Sequence, residues 1–157
     1  MVLEKQIILF TNILHSNMKQ CLAEAFQKGG YNLTPEQFLV MDTLWDEGVL
    51  TQQQIADITM RDKNSIVKLI DGLESRNLVK RISNPKDRRQ NLIKVTTVSR
   101  NIQADVTRLS YEAAAKILGG IPEEDLKTFV KTIVRMEKNI NPNSDLEELA
   151  RKYPTNR

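Results

Sequence analysis

Apolar residues recur at helical spacing along most of the chain. Between about Leu3 and Lys28, Ile7, Leu14, Met18, Cys21 and Ala25 share one side, with Phe10 near it, which predicts a long amphipathic helix stopped by Gly29-Gly30. A second helix is announced by Thr34-Pro35-Glu36-Gln37, where Thr34 can cap, Pro35 suits the first helical position and Gln37 completes a capping box. Phe38, Met41, Leu44 and Trp45 form its apolar face, and it ends near Gly48. Val49-Leu50 reads as a short extended link. Thr51-Gln52-Gln53-Gln54 is a further capping box, opening a third helix that runs to about Thr59. A fourth starts at Asp62 as N-cap and continues to about Arg76, with Ile66, Leu69, Ile70 and Leu73 inward and Asn77 suited to a left-handed closure.

The period then changes. Leu78 to Ser83 and Gln90 to Thr96 carry the Val, Ile and Leu of strands, and Asn84-Pro85-Lys86-Asp87-Arg88-Arg89 between them carries turn residues. This predicts a β-hairpin with a basic tip. Helical spacing resumes from Thr97 to Leu118, with Ile102, Val106, Leu109, Ala113 and Ile117 on one stripe before Gly119-Gly120. A last long helix follows Pro122, and its Leu126, Phe129, Ile133, Met136 and Ile140 step by three and four, as in a short coiled-coil seam. Asn141-Pro142-Asn143 breaks it, and Ser144 with Glu147 predicts a cap for a short helix before Pro154.

The fold class expected is therefore mainly α with a small β-hairpin: two short helices joined by a tight turn, then a hairpin wing, flanked by long helices at both ends. Residues 33–96 form the expected winged helix-turn-helix lobe. Residues 1–32 and 97–157 form a helical dimerisation lobe intertwined with it in one domain.

Charge sharpens this picture. The 157 residues carry a net charge of only +3, but from Arg61 to Arg100 eleven basic residues face four acidic ones, a net of +7, while the remainder is net −4. A cationic third on an otherwise mildly acidic chain is the electrostatic footprint of a polyanion-binding surface. One cysteine excludes an intrachain disulfide, and no apolar run approaches a membrane span, so a cytoplasmic location is expected. One His and one Cys disfavour a dedicated zinc site. There is no nucleophile–base pairing and no phosphate-cradling Gly loop, so neither an enzyme nor a cofactor is expected.

A helix that reads DNA lays short polar and cationic side chains against base edges in the major groove. The start of the fourth helix offers Lys63, Asn64, Ser65 and Lys68 for this, with starting the helix as the plainer role of Asn64 and Ser65. Gln52 and Gln53 are candidates for phosphate hydrogen bonds. The cationic tip of Lys86, Arg88 and Arg89 suits phosphates and a narrow minor groove.

These residues resemble the multiple antibiotic resistance regulator (MarR) family. The resemblance is carried by Leu50-Thr51-Gln52-Gln53-Gln54-Ile55-Ala56, Ser65-Ile66-Val67-Lys68-Leu69-Ile70-Asp71, Leu78-Val79-Lys80-Arg81 and, most specifically, Asn84-Pro85-Lys86-Asp87-Arg88-Arg89 followed by Val95-Thr96. It implies a homodimeric transcriptional regulator, a repressor released by a small-molecule or redox signal, acting on double-stranded DNA at a pseudo-palindromic operator. Arg89 is then the minor-groove residue and Asp87 the side chain that holds it, with Lys86 and Arg88 on flanking phosphates. The family's dimer uses the terminal helices. Some members carry a reactive cysteine in the first helix, which makes Cys21 a candidate redox sensor; the plainer reading is a small buried core residue. Met18, Phe38, Met41 and Trp45 would suit an apolar effector or simply form core. Asn77 stands where the family usually has Gly, as does Ser99; Val67 replaces a frequent Thr and Gly72 a frequent Arg. A winged helix that binds protein instead of DNA is the alternative, which the +7 segment disfavours.

Overall fold

The computed structural model describes residues 2–148. The elements run α1 (Val2–Lys28), α2 (Pro35–Glu47), β1 (Leu50–Thr51), α3 (Gln52–Thr59), α4 (Lys63–Ser75), β2 (Val79–Ser83), β3 (Asn91–Val95), α5 (Thr97–Leu118) and α6 (Glu123–Ile140). Contacts divide the chain into two compact units, residues 1–117 and 118–157.

Local chemistry fixes the helix ends of the first unit. The backbone N–H of Gln37 donates to Thr34 Oγ1 at 3.1 Å while the Gln37 side chain accepts from the Thr34 N–H. Thr51 and Gln54 repeat this reciprocal cap at the start of α3. Such caps contribute about 1 kcal/mol each by satisfying backbone donors the helix leaves open. Asn77 closes α4 in the left-handed region at φ 57°, with the Leu78 N–H returning to Leu73 O at 3.0 Å. Met60 closes α3 the same way at φ 53°, a conformation that costs a non-glycine residue energy and that the sequence does not signal.

The strands make one antiparallel sheet in the order β1-β3-β2. Val79 pairs with Val95 and Arg81 with Ile93, while Leu50 pairs with Ile93 from the other side. The expected two-stranded hairpin thus gains a third strand where a link was expected, and this places Ile93 at the centre of the sheet, fully buried. The core gathers Phe26, Met41, Leu44, Ile55, Ile66 and Ile70 around it. The α5 stripe delivers Val106, Leu109 and Ala113 to buried positions. Ser99, at the start of α5, is fully buried and accepts from Trp45 Nε1 at 3.0 Å, so this serine ties α2 to α5. Gly29 has a similar packing reason: a Cβ there would clash with Leu109 Cδ1.

The apolar side of α1 is mostly uncovered. Only Phe26 is buried, while Ile7, Phe10, Leu14 and Met18 are exposed. In the second unit, α6 begins with Glu123, Glu124 and Asp125 against its positive dipole end, and Lys127 pairs with both glutamates. No residue of α6 is buried, and Phe129, Ile133, Met136 and Ile140 are exposed along its stripe. Beyond it Asp145, not Ser144, accepts from the Glu148 N–H at 2.8 Å; the remainder of the short helix expected before Pro154 lies outside the described residues. No described helix is long and apolar enough to cross a membrane.

Candidate nucleic-acid interface

Two structures carry the candidate residues of the basic segment: α4, with Lys63 and Lys68, and the tip of the β2–β3 hairpin, with Lys86, Arg88 and Arg89. α4 buries Ile66, Ile70 and Leu73 on one side. Asn64, Lys68 and Asp71, spaced four and three apart, therefore take the opposite side, and all three are exposed. Lys63 is exposed in the first turn. Ser65 is half-buried and committed locally: its N–H donates to Asp62 Oδ1 at 2.9 Å and its hydroxyl to Asp62 Oδ2 at 2.5 Å. These two bonds, with the hydroxyl contributing most, hold the Asp62 carboxyl below its ordinary value. Ser65 thus serves the cap.

Gly72, where the family often has Arg, lies under another side chain: a Cβ there would come 2.8 Å from Gln37 Nε2. Gln37 Oε1 in turn accepts from Arg76 Nη2 at 2.6 Å. Gln37 thus joins α2 to the end of α4 across Gly72.

The hairpin tip is built on two Asx-type turns. Asn84 Oδ1 accepts from the Lys86 N–H at 3.0 Å, and Asp87 Oδ1 from the Arg89 N–H at 3.0 Å. The same Asp87 oxygen lies 3.3 Å from Arg89 Nε, while the Arg89 side chain is 92% exposed. Lys86 and Arg88 are exposed beside it. The tip therefore presents three cations to solvent, one of them with its approach set by a carboxylate two residues away.

The two candidate glutamines of α3 differ. Gln53 is exposed and donates to Asp57 Oδ1 at 2.9 Å within its own helix. Gln52 is half-buried; with its amide turned to satisfy both ends, its oxygen accepts from Arg81 Nε at 3.2 Å and Nη2 at 3.3 Å.

Arg81 is the residue that local pattern does not reveal. Its backbone N–H donates to Glu74 Oε2 at 2.9 Å, Nη1 to Glu74 Oε1 at 2.6 Å and Nη2 to Asp71 Oδ1 at 2.5 Å. The backbone bond, then the guanidinium, hold Glu74 below its ordinary value. The register also sets Lys80 directly opposite Lys94, a like-charge pair that disfavours the hairpin unless an anion lies near. Neither feature is visible before strand register is known.

Cys21 is half-buried within one chain, on the part of α1 that leads into its packed C-terminal end around Phe26. Of the four residues expected to suit an effector, Met41 is fully buried core and Met18 is exposed. Phe38 joins Phe26 and Trp45 in a chain of ring contacts at 5.1 and 6.4 Å. Among the described residues no group of three or more His, Cys, Asp or Glu could hold a metal ion.

Comparison with known proteins covers this region. The MarR family model matches residues 33–90. A probable transcriptional regulator from Pseudomonas aeruginosa shares the fold with a TM-score of 0.76 at 22% identity, covering 85% of this chain and 98% of the other. A mutant of MarR from E. coli, solved in complex with operator DNA, superposes with a TM-score of 0.75 at 19% identity, covering 81% and 90%. BpsR of Bordetella bronchiseptica, whose DNA binding is regulated by 6-hydroxynicotinic acid, gives 0.74 at 20% identity, covering 84% and 98%.

Proposed function

We propose that this chain, whose residues 33–90 match the MarR family model, is a MarR-type regulator: a homodimeric, sequence-specific DNA-binding transcriptional regulator. α4 enters the major groove, with Lys63, Asn64 and Lys68 toward bases and phosphates. The hairpin enters the adjacent minor groove through Arg89, held by Asp87, while Lys86 and Arg88 meet flanking phosphates. The observation that carries this reading is the cationic tip: Arg89 is bonded to Asp87 through Nε, yet its side chain is 92% exposed and leaves most of the guanidinium open to solvent.

Gln53 remains a phosphate ligand in this reading; Gln52, turned onto Arg81, serves the scaffold instead. The exposed stripes of α1 and α6 supply the dimer surface, and a two-fold pair places two copies of α4 about one DNA turn apart. Repression relieved by a small molecule or by redox chemistry at Cys21 is the finer part of the proposal. The regulation of the fold-mate BpsR by 6-hydroxynicotinic acid supports its small-molecule form.

The test is direct. On a duplex enriched from a random-sequence pool, Arg89→Ala is expected to weaken binding by roughly tenfold to a hundredfold, as for loss of a groove-reading arginine, while thermal unfolding is unchanged. Equal affinity of variant and wild type refutes the wing assignment.

A further inference from the structure

We infer that Arg81 is a positioning residue that fixes the angle between the basic hairpin and α4, so that the tip and the helix engage one duplex together. The inference rests on the DNA-binding reading above and deepens it. Arg81 sits at the middle of β2, opposite the fully buried Ile93. Further out, Ile82 and Leu92 are only half-buried and the tip from Lys86 to Gln90 carries no buried residue. Arg81 is therefore the last firmly held point before the tip.

Its bonds reach three other places at once. Glu74 and Asp71 lie on successive turns of α4, the helix assigned to the major groove. Gln52 is the first residue of α3. The Arg81 backbone N–H, bonded to Glu74 Oε2, ties the strand itself and not merely the side chain. A planar guanidinium with fixed donor directions suits this work, since each acceptor constrains orientation as well as distance.

A direct phosphate contact by Arg81 fits the geometry poorly. Nε faces Gln52, Nη1 faces Glu74, and Nη2 faces Asp71 and Gln52, and the side chain is only 20% exposed. Two carboxylates beside it also repel a phosphate. The clamp thus acts on DNA through Arg89 and not by touch.

A double-mutant cycle separates these roles. Affinity is measured for a labelled duplex enriched from a random-sequence pool, with wild type, Arg81→Met, Arg89→Ala and the double variant. The clamp predicts that Arg81→Met costs about tenfold in wild type but less than about threefold once Arg89 is gone, because only the phosphate contacts of Lys86 and Arg88 are then left to aim. It also predicts that Arg81→Met loses the preference for A·T-rich over G·C-rich flanks. Asp71→Asn, at a largely exposed side chain that folding tolerates, should show the same coupling in weaker form. Additive losses from Arg81→Met and Arg89→Ala, with flank preference retained, overturn the clamp and leave the wing intact. An Arg89→Ala variant that binds normally removes the wing reading and the clamp with it.

Discussion

Two single residues show how far individual contacts set the behaviour of this fold. Gly29 sits at a close approach, where a Cβ would meet Leu109 Cδ1 and make that buried side chain shift. Gly29→Ala is expected to lower stability by about 1–3 kcal/mol, the usual cost of overpacking a site that relaxes incompletely, read as a drop in urea midpoint; an unchanged midpoint would mean that Leu109 repacks freely. Glu74 supplies a pH-dependent contribution. Its carboxyl is held below the ordinary 4.5 by the backbone N–H and then the guanidinium of Arg81. A depressed carboxylate stabilises the folded state above its unfolded pKa, and that contribution fades as pH falls through the folded value. The stability gap between wild type and Glu74→Gln should therefore be larger at pH 7 than below pH 4.5, though modest because the side chain is 39% exposed. A gap of equal size at both pH values contradicts this account of the Arg81–Glu74 pair.

At the scale of elements, what was legible in the sequence is what local chemistry determines. The capping residues Thr34, Thr51 and Asp62 all cap as expected, and Asn77 adopts the left-handed conformation. The α5 stripe points inward as its spacing implies. Strand β1 escaped notice because two residues are too few for any period, and its pairing partner lies some forty positions away. The site shows the same divide. Arg89 and Asp87 were readable as a motif, whereas the Arg81 clamp depends on strand register and on Gln52, 29 positions earlier in the chain. The stripes of α1 and α6 were readable as helical faces too long for one small lobe to cover, and most of their apolar residues are exposed. If those faces meet in a dimer, Phe129→Asp combined with Ile133→Asp should convert a particle of about 36 kDa, twice 18.0 kDa, into a monomer by light scattering. A double variant that stays dimeric would move the interface away from α6.

At the scale of the molecule, charge is segregated along the chain. The net +7 between Arg61 and Arg100 lies wholly in the first unit, while the rest of the chain is net −4. In the DNA-binding reading, that segregation gives a polyanion the first unit to meet and keeps the mildly acidic remainder from competing for it. The most direct measurement is selection of bound duplexes from a random-sequence pool by the purified protein, with sequencing of the enriched sites. The account predicts an inverted repeat whose half-sites are centred about one helical turn apart, with A·T-rich flanks where the wings lie. Recovery of no enriched sequence, or of sites lacking two-fold symmetry, would contradict it.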